Sequence, residues 1–271
     1  MESGQINSDR IEMAHTQKIV AIIQARMTSS RLPGKVLIDI VGSPMIQHVV
    51  RRVSSAKMVD QTVIATTDDP ADNPIEEFCL SNGYICYRGH PFDVLDRYYQ
   101  AALINQADII VRITADCPIM DPDLIDSLIQ SFLDAEVDFA ANRFPPPWKR
   151  SYPIGLDIEI VHFDALKKAW LEAESAFERE HVMPYLYDQP GRFKILLTHH
   201  EPDYGEKRWT VDTPEDLALI TNIFEKFAPR VDFSWLEVIE MLKKYPDLEK
   251  INTGVRAKNV IDVDKRFLEK K

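Results

Sequence analysis

Long apolar runs are missing from this sequence, and no segment reaches the roughly 18 residues of a membrane-spanning helix. Cysteine is scarce. Cys79, Cys86 and Cys117 form an odd set whose spacings match no metal signature, as expected of reduced thiols in a cytoplasmic protein. Glycine is sparse too, with 9 in 271 residues, and none falls in a Gly-x-x-x-x-Gly-Lys-Ser/Thr or Gly-x-Gly-x-x-Gly pattern. Those absences argue against Walker-type ATPase chemistry and against a dinucleotide cofactor. Basic charge is in deficit: 32 Lys and Arg face 43 Asp and Glu, for a net charge of −11. Such a balance argues against a broad nucleic-acid face and leaves room for one local basic cluster. Met1–Gln17 is polar, lacks the apolar stretch of a signal peptide, and reads as a disordered leader.

What remains is an ordinary globular balance, 45% hydrophobic and 28% charged, enough for a sizeable core. β-rich runs at Lys18–Ile23, Gln61–Thr66, Tyr84–Tyr87 and Ile109–Ile113 alternate with helical patterns. That alternation predicts βαβ units and a mainly parallel sheet. Helix starts are read at Ser43-Pro44, Asn73-Pro74, Asp121-Pro122 and Thr213-Pro214, each a cap residue before a first-turn proline. A further helix is read on Val94–Ala102. The proline- and aromatic-rich Phe144–Pro153 reads as a loop. Strands are expected at Leu156–Val161, Lys194–Leu197 and Arg208–Val211, and helices at Ala165–Ala176 and Glu178–Tyr187. Residues 233–271 read as a charged, mostly helical C-terminal extension.

Chemistry concentrates at predicted strand ends, where parallel α/β sheets bind ligands. Arg26, Arg31 and Lys35 place three cations in one loop after the first strand. Arginine offers planar paired donors to phosphate and lysine a point charge, while Ser29, Ser30 and Gly34 can bring hydroxyls and N–H groups close. Asp116 follows within three residues the end of the run Ile109–Ile113 and is well sited to hold Mg²⁺ against a triphosphate, or to cap a turn. Asp212 follows another short run and offers a second ligand or a turn residue. Spacing alone does not bring the two together. Asp157 and Glu159 share one face of a predicted strand and could bind sugar hydroxyls; His181 could contact substrate or be structural. Thr66, Thr67 and Asp68 end the second strand beside the expected nucleotide.

Ala21–Lys35 (AIIQARMTSSRLPGK), Arg112–Pro118 (RITADCP) and Val211–Leu217 (VDTPEDL) together resemble the cytidylyltransferases that make CMP-activated sugar acids. Gly155–Glu159 (GLDIE) and Glu178–Tyr185 (EREHVMPY) resemble the spore-coat polysaccharide branch of that family. The resemblance spans roughly residues 18–250. It implies a Rossmann-like α/β three-layer sandwich of the GT-A type, with a mainly parallel mixed sheet. The nucleotidyltransferase domain would occupy residues 18–232, with a dimerisation or sugar-binding insertion around 142–190 of a homodimer. Arg26, Arg31 and Lys35 would bind the triphosphate of CTP, with Gln24, Ala25, Ser30, Gly34, Thr66, Asp68, Arg112 and Thr114 around the nucleotide. Arg26, Lys35 and Asp116 would be catalytic, Asp116 and Asp212 would bind Mg²⁺, and Asp157, Glu159 and His181 would lie near the acceptor. Two departures bear on that acceptor: Gln24 stands where many sugar-acid enzymes carry Pro, and Cys117 stands where an acid often follows the first metal Asp.

The expected reaction is Mg²⁺-dependent transfer of CMP from CTP to a small sugar acid, with loss of pyrophosphate. Three rivals remain open on the sequence: a phosphate or phosphonate acceptor, a glycosyltransferase consuming a nucleotide sugar, and a nucleotide-binding scaffold without catalysis. The basic loop suits a triphosphate better than a diphosphate sugar.

Overall fold

Ile19–Gln24 forms β1, whose first five residues are apolar and all buried. A strand apolar on both faces belongs in the middle of a sheet covered on both sides. Here it pairs in parallel with β2 (Gln61–Thr67) on one side and β4 (Ile109–Thr114) on the other. The chain is described by a computed structural model at residues 17–144 and 149–256. Beyond β2 lies β3 (Ile85–Gly89); beyond β4 lie β6 (Glu159–His162), β5 (Phe139–Ala141) and β7 (Ile195–Leu197). The seven strands run in the order β3-β2-β1-β4-β6-β5-β7, and β6 alone runs against its neighbours.

Side chains alternate across this sheet and build two cores. Ile19, Ala21 and Ile23 face α1 (Met45–Val53), α4 (Pro122–Asp134), α8 (Pro214–Phe227) and α9 (Trp235–Lys244). Val20 and Ile22 face α3 (Val94–Ile104) and α5 (Phe163–Glu172). The result is the expected α/β three-layer sandwich with a mainly parallel mixed sheet.

Cap chemistry explains which helix starts were legible. Asp121 accepts from Leu124 N, and Thr213 with Asp216 forms a reciprocal capping box, as their sequences predict. Two starts differ. Ser43-Pro44 pairs with Asp39-Ile40 in a small hairpin, so α1 begins at Met45 without a side-chain cap. The helix α2 (Asn73–Asn82) takes Asn73 as its first residue, and Asp72 before it makes no side-chain cap because its carboxylate is spent on Thr67 and on the backbone of Met27.

Other boundaries shift for physical reasons. Glu178–Tyr187 is two short helices, α6 (Ala176–His181) and α7 (Pro184–Tyr187), broken where Val182 takes φ of 70°. Arg208–Val211 is not a strand. It makes one bridge, Arg208 to Ile154, and then spends its hydrogen bonds on Asp116. Strand β5 was not read because three residues are too few to show a period. The expected leader lies outside the described residues except for Gln17, as do residues 257–271 of the expected extension.

After residue 233 the chain joins the larger core: Phe233, Trp235, Val238, Ile239 and Leu242 are buried in it, and α10 (Pro246–Glu249) follows. Arg52 on α1 fastens that segment. Its guanidinium donates to the carbonyls of Met120, Val231 and Phe233, each at 2.6 Å, and lies over the Phe233 ring. Arg52→Met would leave the buried carbonyls of Met120 and Phe233 unpaired, at about 1–3 kcal/mol each. Chemical denaturation should show a loss on the order of 2–5 kcal/mol for this variant, far above a surface substitution.

Candidate active site

Sheet growth changes direction at β1. The chain proceeds outward through β2 and β3, then returns to place β4 on the other side. In open α/β sheets a ligand crevice forms at the carboxyl ends of the strands at such a reversal. A cleft of about 210 Å³ lies there, lined by Gln24, Ala25, Arg26, Ser29, Ser30, Arg31, Lys35, Val36, Thr114, Ala115, Asp116 and Asp212.

The loop after β1 is pinned from two directions. Met27 N donates to the buried Asp72 carboxylate at 2.6 Å, tying the loop to α2. Met27 O accepts from Ser29 N at 2.9 Å and Gly34 N at 2.8 Å, which closes the loop on itself. Gly34 takes φ of 71°, a left-handed conformation that a β-carbon disfavours. The turn it makes sends the Lys35 side chain inward.

Lys35 is 7% exposed, and Nζ donates to Asp116 at 2.9 Å, Asp212 at 2.8 Å and the Val211 carbonyl at 2.7 Å. Two acids far apart in sequence therefore meet at one ammonium. Their backbones are joined as well: Asp116 O accepts from Val211 N at 2.8 Å and from Thr210 Oγ1 at 3.2 Å. Thr114 Oγ1 donates to the second oxygen of Asp116 at 2.7 Å. Asp212 also receives Arg31 at 2.9 Å and Arg208 at 2.8 Å. Gly155 lets the Asp212 segment approach, since a β-carbon there would stand 2.6 Å from Thr210 N.

This arrangement fixes the charge states. Burial disfavours the Lys35 ammonium, but Asp116 and Asp212 outweigh it and hold its pKa above the lysine value. Burial likewise works against the Asp116 carboxylate, yet Lys35 and Thr114 hold it down at about 2. The Cys117 thiol is pushed up by burial and by Asp116, which keeps it protonated and unreactive.

Mg²⁺ takes one or two carboxylates and completes its shell with water and substrate phosphates. Asp116 and Asp212 fit that requirement, since both reach a common atom. Among the described residues no group of three His, Cys, Asp or Glu side chains converges on a metal position, so phosphate oxygens would have to complete the shell.

Several sequence-nominated residues lie outside the cleft lining. Glu159 pairs with Arg112, which also donates to Gln24 at 3.5 Å and so reaches the cleft through that amide. Asp157 pairs with Arg150 from the proline-rich loop. Thr66 is buried at the end of β2, and Asp68 is exposed beyond it, with its N–H on Gly89 O. His181 ends α6 with its ring 4.8 Å from Phe177. Conversely, Asp72, Arg208 and Asn252 bear on the cleft and were not nominated. The faint signal was Arg208 four residues before Asp212; Asp72 and Asn252 left none.

Residues 20–257 match the family described as Cytidylyltransferase. The spore coat polysaccharide biosynthesis protein SpsF of Bacillus subtilis is 32% identical over 84% of this chain and 95% of its own length. A 3-deoxy-manno-octulosonate cytidylyltransferase of Syntrophobacter fumaroxidans is 34% identical over 78% of this chain and 98% of its own length. The solved structure of a cytidylyltransferase from Leptospira borgpetersenii superposes with a TM-score of 0.81 at 31% identity, covering 90% of this chain and all of that one.

Acid unfolding tests the charge assignment. A carboxyl depressed in the folded state stabilises above its unfolded value near 3.8, and the contribution vanishes as pH falls through about 2. Urea midpoints measured from about pH 5 to pH 2 should therefore fall less steeply for Asp116→Asn than for the parent.

Proposed function

We propose that this chain, which belongs to the cytidylyltransferase family and is a nucleotidyltransferase, transfers CMP from CTP to a sugar acid and releases pyrophosphate. The observation that carries the reading is Lys35, bonded to both Asp116 and Asp212 beside Arg26 and Arg31 at the strand-order reversal. An ulosonate-type acceptor is supported by the named reaction of the 3-deoxy-manno-octulosonate relative, and a role in surface polysaccharide synthesis by SpsF.

In the reaction an acceptor hydroxyl oxygen forms a bond to the α-phosphorus. The bond from that phosphorus to the bridging oxygen breaks, pyrophosphate leaves, and the hydroxyl proton passes to solvent. Phosphoryl-type transfer of this kind depends on positioning and charge neutralisation. Arg31 and Lys35 turn from protein carboxylates toward the triphosphate and, with Arg26 in the same lining, offset charge on the departing pyrophosphate. Gln24, Ala25 and Ser30 line the same wall and orient the nucleotide. Asp116 and Asp212 would hold Mg²⁺, which would supply charge neutralisation and Lewis acidity for the transfer. Three free thiols support a reducing compartment such as the cytoplasm.

Pyrophosphate release from four NTPs, tested against ulosonic acids and phosphorylated acceptors with and without Mg²⁺, examines the reading. Release with CTP, a sugar acid and Mg²⁺ is expected. Release only with a phosphorylated acceptor would overturn the acceptor assignment, and no release with any pair would overturn the reaction. Lys35→Ala and Asp116→Ala should each lower turnover about 10²–10³-fold while still unfolding cooperatively, the usual cost of one preorganised charge contact.

A further inference from the structure

Asp212 is held by three cations, and they are not equivalent. Arg31 sits on the loop with its side chain 27% exposed and also donates to the Arg256 carbonyl at 3.2 Å. Lys35 faces both Asp212 and Asp116. Arg208 differs in kind, since its side chain is 8% exposed and is itself clamped. Its Nε donates to Asp216 at 2.9 Å, and Nη2 divides between Asp216 at 3.0 Å and Asp212 at 2.8 Å.

The clamp is closed on every side. Asp216 is fully buried and accepts from Arg208, from the N–H groups of Asp212 and Thr213 at 3.1 and 3.2 Å, and from Asn252 at 2.9 Å. Asn252, 6% exposed, also donates to the Arg208 carbonyl at 3.0 Å. One carboxylate thus fixes the guanidinium, the backbone of Asp212 and the last described segment of the chain. A buried, fully satisfied network of this kind holds one geometry, and breaking it leaves charge unpaired.

We infer that Arg208, clamped by Asp216 and Asn252, is a positioning residue that holds one oxygen of Asp212 and presents the other toward Asp116. Arg31 and Lys35 are the exchangeable partners of Asp212, free to transfer to phosphate when nucleotide arrives. Arg208 stays, because leaving would strand the buried Asp216. Outer partners that orient a liganding carboxylate are commonly worth 10–100-fold in metal affinity. The inference rests on the reading of Asp116 and Asp212 as the Mg²⁺ ligands.

The test measures CTP binding by calorimetry across a Mg²⁺ titration, beside thermal unfolding, in the full chain. Arg208→Lys keeps the charge but loses the planar fork that serves two carboxylates at once. It should raise the Mg²⁺ concentration for half-maximal CTP binding about 10–100-fold. Saturating Mg²⁺ should restore the affinity, and CTP binding without Mg²⁺ should stay at the parent's level. Asn252→Ala, which leaves every charge in place, should shift the same midpoint in the same direction by a smaller factor. An unchanged midpoint in Arg208→Lys, or a loss of CTP affinity equal at every Mg²⁺ concentration, would overturn the positioning role. If the parent protein itself binds CTP without regard to Mg²⁺, the metal reading fails first.

Discussion

The Lys35 ammonium, drawn to Asp116 and Asp212 together, is the contact on which the rest of the site depends. It joins the first loop of the sandwich to the end of β4 and to the segment before α8. Two carboxylates this close repel each other unless a cation stands between them. Here the lysine stands between them. The price is a buried ammonium, kept charged because the pull of the two acids outweighs the cost of its burial.

The surrounding architecture serves this contact. Apolar β1, buried on both faces, sets the strand-order reversal that opens the cleft. Asp72 and Gly34 shape the loop so that Lys35 turns inward and Arg31 stays at the rim. The carbonyl of Asp116 receives Thr210 and Val211, and the Arg208–Asp216–Asn252 cluster anchors the same segment from behind. With Arg26, four basic side chains (Arg26, Arg31, Lys35 and Arg208) face the three acids Asp116, Asp212 and Asp216, an excess that suits an anionic ligand.

Much of this was legible in the sequence because it rests on local signals. The unbroken apolar run of β1, the caps at Asp121 and Thr213, and the basic loop each carry their own chemistry within a few residues. Lys35, Asp116 and Asp212 stood out as charges at predicted strand ends. Their meeting was not legible, since it depends on tertiary hydrogen bonds that leave no spacing signal. For the same reason Asp72, which holds Met27, carries no signal in the sequence. Arg208–Val211 carries a strand-like pattern but bonds to a loop instead of a sheet edge. Asp157 and Glu159 did look like paired strand acids, and the structure gives each its own arginine.

The central claim is that Lys35 holds the acids for the nucleotide and gives them up to it. A crystal structure of the protein with CTP and Mg²⁺ tests it most directly. The account predicts the triphosphate against Arg26, Arg31 and Lys35, with Lys35 Nζ moved off Asp212 and Arg208 still upon it. A nucleotide bound elsewhere, with the bonds from Lys35 to Asp116 and Asp212 intact, would contradict it.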